Sequence, residues 1–272
     1  MRALRPNRVL TALTAVGLVA ALAACASPAP TPTTTPTETT AAPETPAISG
    51  ELAISAAASL TKAFDEIAAA FEAEYPDVEV LPIEYDGSST LATQIIEGKP
   101  VDVFASADEG NLQKVVDAGL ITGGGTLFAT NTLVVIVPKG NPAGVSSIAD
   151  LADPAVRVVI CDAEVPCGKA SAKLFELNGL AVTPVSLEQN VSAVLTKVGA
   201  GEADAGLVYA TDVARSTDVE SFVPDHAGEV VNKYPLAALD GAPNPAAAAA
   251  FVAFVTGPAG QAILADLGFG KP

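Results

Sequence analysis

The sequence predicts an α/β fold of mainly parallel sheets with helices on both faces, and three observations carry that prediction. From Glu51 onward, short apolar segments alternate with amphipathic ones, the pattern of repeated βα units in which helices cover a parallel sheet. The loops that follow several strand-like segments are small and polar and lead directly into helix-like segments, as they do where ligands bind at the carboxyl ends of parallel strands. Half of the 272 residues are hydrophobic, enough for a well-buried core.

The elements follow in order. A strand is expected over 52–57, and the helix after it carries Leu60, Ala63, Phe64, Ile67, Ala68 and Phe71 on one stripe, the i, i+3, i+4, i+7 spacing of an amphipathic helix. Further strands are expected over 78–81, 102–105, 133–137, 156–160, 205–208 and 236–239. Helices fit between and after them, over 91–97, 112–118, 170–177, 191–198, 246–255 and 260–267.

The first residues are of a different kind. Residues 1–24 hold Arg2, Arg5 and Arg8, no acid, and a 16-residue apolar run from Val9 to Ala24, the pattern of a signal peptide and too short for a spanning helix. The run ends in Leu22-Ala23-Ala24-Cys25, which resembles the lipobox of bacterial lipoproteins and makes Cys25 the expected lipid anchor. Residues 25–49 form a tether: from Ser27 to Ala47, eight threonines and six prolines occur in 21 residues without apolar periodicity. Extended at about 3.1 Å per residue, such a segment reaches on the order of 65 Å. The protein is therefore expected to be exported and held on the outer face of the cell membrane. Without its first 24 residues the chain keeps 11 of its 14 basic residues against all 31 acidic ones, a formal charge of −20. That balance excludes nucleic acid as a partner. It does not exclude an anionic ligand, because exposed charges are screened over roughly 8 Å at physiological ionic strength.

Three helix-opening loops carry the chemistry: Ala58-Ser59, Gly87-Ser88-Ser89-Thr90, and Glu164-Val165-Pro166-Cys167-Gly168. Free amides at helix N-termini together with serine hydroxyls make an anion site, although Ser59 and Ser88 taken singly also read as plain N-caps. Cys161 and Cys167 lie six apart in an exported chain, where a disulfide is favoured over free thiols. The single histidine, His226, stands beside Asp225 in a polar stretch and reads as a surface residue, so no metal site is expected. Asp102 and Asp108 border a short strand and read as structural hydrogen-bonding groups rather than an acid/base pair.

At these same residues the sequence resembles the periplasmic molybdate-binding proteins of ABC importers, type II periplasmic binding proteins. The resemblance rests on Ser55-Ala56-Ala57-Ala58-Ser59-Leu60-Thr61, on Gly87 to Ile95, on Asp102-Val103-Phe104-Ala105-Ser106-Ala107-Asp108, on Val165-Pro166-Cys167-Gly168 and on Gly206-Leu207-Val208-Tyr209-Ala210-Thr211-Asp212. The endings Gly257-Pro258 and Leu267-Gly268-Phe269 resemble that family too, and the similarity covers roughly residues 50–272. It implies a two-lobed fold with the ligand cleft between lobes, lobe 1 from residues 50–130 and 233–272 and lobe 2 from residues 131–232. It implies a monomer that is not an enzyme, has no cofactor, captures molybdate or tungstate and delivers it to a membrane permease. Carried over by position, the ligand-binding residues are Ser59, Ser88 (or its neighbour Ser89), the amides of Cys167 and Val191, and the Tyr209 hydroxyl. Cys167 departs from the small residue common there, which bears on loop shape and not on an amide donor. Sulfate or phosphate is the alternative ligand, weakened because Arg157 and Arg215, the only arginines after the signal segment, lie outside the site loops. A secreted serine hydrolase is the remote alternative, opposed by one histidine and no G-x-S-x-G elbow.

Overall fold

The computed structural model describes residues 48–272, so the signal segment, Cys25 and the tether up to residue 47 lie outside the described residues. The chain runs β1 (Gly50–Leu52), β2 (Ile54–Ala57), α1 (Thr61–Glu74), β3 (Val78–Val80), β4 (Glu84–Asp86), α2 (Ser88–Ile96), β5 (Val103–Ala105) and α3 (Glu109–Asp117). It continues through β6 (Thr126–Pro138), β7 (Val158–Cys161), α4 (Pro166–Leu177), β8 (Ser186–Glu188), α5 (Val191–Gly199) and β9 (Ala205–Tyr209). It ends with β10 (Val219–Phe222), β11 (Val231–Ala238), α6 (Pro245–Thr256) and α7 (Pro258–Asp266). No single helix among the described residues is long and apolar enough to cross a membrane.

One sheet organises these elements, in the order β4-β2-β5-β11-β6-β9-β7-β8, with β10 also paired to β6. Within each half the neighbours are parallel: β2 with β4 and β5, and β7 with β8 and β9. The long strands β6 and β11 join the halves antiparallel to each other, β11 lying beside β5 and β6 beside β9. β2 and β5 are buried at every residue, which is why they read in the sequence as unbroken small or apolar runs.

The expected strand over 52–57 is two strands. At the break, the Ala53 N–H donates to Asp102 Oδ2 at 2.7 Å instead of to a neighbouring strand, and β1 leaves the main sheet to pair with β3. Asp102, buried among the core residues, also accepts from Asn244 N at 2.6 Å. It thereby fastens the start of α6 to the sheet, which is the structural work expected of it. Asp108 caps α3 by accepting from Asn111 N at 2.7 Å.

The core divides along β6 and β11. Phe128 and Ala129 of β6 pack with Phe64, Phe71, Tyr234, Leu236 and Phe251 in one cluster, where Ile48 also packs. Leu133 to Val137 pack with Leu174, Leu195, Val198, Leu207 and Tyr209 in another. A third cluster, around Leu91, Phe104 and Val115, covers the opposite face of the first half of the sheet. The first cluster is an aromatic stack, with Phe71 edge-on to Phe251 at a centroid distance of 5.2 Å and Phe64 at 5.9 Å from the same ring.

Candidate functional site

Strand ends and helix starts from both halves of the sheet meet at one small pocket. From the first half come Ala57 at the end of β2 with Ala58 and Ser59 after it, Asp86 at the end of β4 with Gly87 and Ser88 leading into α2, and Ala107 after β5. From the second half come Val165, Pro166 and Cys167 at the start of α4, Asn190 and Val191 at the start of α5, and Tyr209 at the end of β9. The structure thus brings Ser59, Ser88, Cys167, Val191 and Tyr209 to one place. It sets Ser88 in the lining, buried to 1 % exposure, while Ser89 is half-exposed and outside it.

The local folding leaves donors uncommitted here. The first amides of an α-helix have no acceptor within the helix, and α2, α4 and α5 all point such ends at the pocket. In α4, Pro166 has no N–H and the Gly168 N–H bonds Val165 O at 3.0 Å, which singles out the Cys167 amide. In α5, Asn190 caps Ala193 N at 3.0 Å, leaving the Val191 amide to face outward. Ser88 Oγ accepts from Ala107 N at 3.0 Å, so its own proton is free to be donated. Ser59 Oγ lies 3.0 Å from the Tyr234 hydroxyl, and either can donate to the other.

Tyr209 is the most telling member. Its hydroxyl is buried and, with Asn111 Oδ1, makes no hydrogen bond of ordinary geometry among the described residues; the Tyr234 hydroxyl is near enough to act on it but not aligned to bond it. Burial pushes its ionisation well above the ordinary tyrosine range, with Tyr234, Asp108 and Asp212 adding to the rise. Burial likewise raises Tyr234. Both hydroxyls therefore keep their protons at neutral pH and remain donors. Behind Tyr209, burial pushes the Asp212 carboxyl up to about 6 against the opposing pull of Arg215.

Asp86 is the one acidic residue of the lining, and its Oδ1 is engaged by Gly87 N at 2.7 Å and by Asn190 Nδ2 at 2.8 Å. The latter bond spans the two halves. So do Lys169 Nζ to Asp108 Oδ2 at 3.1 Å and Arg215 Nη1 to the Ala58 carbonyl at 2.9 Å. The backbones approach closely as well: a Cβ on Gly87 would stand 2.1 Å from Gln189 O. Beside the pocket, Cys161 and Cys167 are joined with a Cα–Cα distance of 5.7 Å, bridging the end of β7 to the first turn of α4. His226 is exposed and bonds Glu229 through Nδ1 at 2.7 Å, and no group of three metal-ligating side chains occurs among the described residues.

Sequence reasoning missed Asp86, Asn190, Tyr234 and Arg215. Asn190 carried a usable signal, an N-cap residue just before a predicted helix. Tyr234 and Arg215 carried none, because each acts across more than 150 residues of chain, on Ser59 and on Ala58.

Comparison with known proteins places this geometry in a family. Residues 52–270 match the bacterial extracellular solute-binding protein model. The molybdate-binding protein ModA of Mycobacterium tuberculosis is 44 % identical over 265 residues, 96 % of this chain and 97 % of that one. The molybdate-binding protein ModA of Escherichia coli is 32 % identical over 232 residues, 81 % and 89 % of the two chains. Among solved structures, the periplasmic molybdate-binding protein of Azotobacter vinelandii superposes with a TM-score of 0.71 at 22 % identity, covering 81 % of this chain and 99 % of that one. The sulfate-binding protein SubI of M. tuberculosis gives 0.72 at 19 %, covering 81 % and 86 %; these two share the fold. The chain therefore belongs to the bacterial extracellular solute-binding proteins and, among them, to the family of the molybdate-binding proteins, which are binding components of ABC transporters and not enzymes.

Proposed function

We propose that this protein captures molybdate, and tungstate comparably, in the pocket between the two halves of its sheet and delivers it to a membrane permease. The observation that carries this reading is the buried Tyr209 hydroxyl, without a hydrogen bond among the described residues, at a pocket where three helix N-termini converge. The proposed ligands are the hydroxyls of Ser59, Ser88 and Tyr209 and the amides of Cys167 and Val191. All are donors, and a fully ionised tetrahedral oxyanion is purely an acceptor. Once such an ion accepts from Ser59, the Ser59–Tyr234 bond has one polarity, with Tyr234 donating to Ser59. Helix N-termini add partial positive charge without a cation in contact. Selection against sulfate follows from size, because donors set around the larger ion stretch beyond good hydrogen-bond distance around the smaller one.

The division of the core supports a two-lobed reading with a hinge. Lobe 1 comprises residues 50–130 and 233–272, and lobe 2 residues 131–232. The core clusters change between Ala129 and Leu133 on β6, and between Val230, just before β11, and Tyr234 within it. Neither lobe alone offers enough donors for four oxygens, so binding free energy is gained when the lobes meet around the ion. The lipobox-like Cys25 and the Thr/Pro tether support a monomeric lipoprotein on the outer face of the membrane.

Molybdate and tungstate should raise the melting temperature strongly, and sulfate and phosphate little; equal stabilisation by sulfate would contradict the size argument. In the same assay, Ser59→Ala and Ser88→Ala should each lose about 1.5–3 kcal/mol of binding, the range for a hydrogen bond to a charged group. Mass spectrometry of the membrane fraction should find Cys25 acylated and no alkylatable thiol without reduction; two free thiols would rule out the Cys161–Cys167 bond in the mature protein. Solution scattering should show the radius of gyration fall when molybdate is added. Gly87→Ala, with a Cβ placed 2.1 Å from Gln189 O, should fail to contract, and a parent profile unchanged by saturating ligand would leave a rigid preformed pocket.

A further inference from the structure

We infer that Arg215 is the positioning residue of this anion site: it fastens three of the ligand-bearing segments to one another and stands a guanidinium, paired with Asp212, behind them without lining the pocket. Its guanidinium makes three hydrogen bonds, and each partner adjoins a different proposed ligand in space or sequence. Nη1 donates to the Ala58 carbonyl at 2.9 Å, the residue before Ser59. Nη2 donates to Ser192 Oγ at 2.8 Å, the residue after Val191. Nη1 also donates to Asp212 Oδ1 at 3.0 Å, and the other oxygen of that carboxylate accepts the Tyr209 N–H at 3.0 Å. One side chain from the turn after β9 therefore fixes the Ser59 segment of the first half against the Val191 and Tyr209 segments of the second.

The chemistry suits a rigid cation in this place. Guanidinium is planar, always charged and presents several donors in a fixed fork, so three acceptors on three segments are held at one relative geometry. Asp212 is fully buried and Arg215 mostly so, which keeps the pair less screened than an exposed one. Arg215 and Ser59 also line a neighbouring groove together with Lys62 and Asp266, so the guanidinium lies along the same seam as the pocket. A dianion held only by neutral donors gains from a cation placed one layer behind them. The bond to Ala58 exists only while the two halves are together, so Arg215 contributes chiefly to holding the bound form closed.

Arg215 has this role only if the pocket binds an oxyanion as proposed above, so the test keeps the two claims apart. Molybdate is titrated calorimetrically, and its release followed by stopped flow, in the parent, Arg215→Gln, Arg215→Lys and the double variant Arg215→Met with Asp212→Asn. The double variant removes the buried carboxylate that a lone arginine substitution would strand, and so covers failure of Arg215→Gln to fold. Arg215→Gln or the double variant should bind at least about tenfold more weakly, through faster release with little change in association. Arg215→Lys should fall between them and the parent, since an ammonium keeps the charge and loses the fork. Parent-like affinity and release in a folded variant, or a lowered melting temperature of the unliganded protein with binding unchanged, would overturn the positioning role while leaving molybdate binding intact. A parent that does not bind molybdate would overturn the functional reading and this role with it.

Discussion

A buried N–H or O–H that meets no acceptor costs about 1–3 kcal/mol, and the seam between the core clusters gathers several such groups at one pocket. The Tyr209 hydroxyl makes no hydrogen bond among the described residues, the Ser88 proton is left free by the Ala107 bond, and the first turns of α4 and α5 present amides that their helices cannot use. The surrounding architecture makes sense as the means of assembling these donors. Two parallel half-sheets place helix N-termini at their carboxyl ends, and two antiparallel strands bring those ends face to face. The disulfide, the Asn190–Asp86 bond and the Arg215 fork then fix the loops that carry the donors.

A strongly acidic protein that binds a dianion is less paradoxical on this account. The net charge of −17 is spread over exposed side chains and screened by salt. The pocket experiences instead the helix ends beside it, the oriented hydroxyls, and a carboxylate, Asp86, already occupied by two donors. Asp212 shows the same local control: its burial makes the charged form expensive, and Arg215 recovers part of that cost.

The α/β class and each of the α-helices α1 to α7 were legible in the sequence because apolar periodicity reports burial directly. α1 is the clearest case, with Phe64, Ile67 and Phe71 fully buried where the stripe put them. Three short strands, β4, β8 and β10, were not legible: at three or four residues and half-exposed, they carry too few side chains for a period-two pattern to register. The break between β1 and β2 was hidden for another reason, since it is made by Asp102 from 49 residues away. The pocket divides in the same manner. The loops of Ser59, Ser88 and Cys167 were visible as small polar helix openings, whereas the meeting of Val191 and Tyr209 with them was legible only through family resemblance. Tyr234 and Arg215 were invisible because long-range hydrogen bonds leave no local pattern.

The central claim is that uncommitted donors at this seam hold a tetrahedral dianion, and Tyr209 tests it most directly because its hydroxyl makes no other hydrogen bond of ordinary geometry among the described residues. Calorimetric titration of molybdate into the parent and into Tyr209→Phe isolates that one group. The account predicts one molybdate per chain in the parent and binding weaker by roughly 10- to 100-fold in Tyr209→Phe, the loss of one hydrogen bond to a charged ligand. Equal affinity in the two proteins would contradict it.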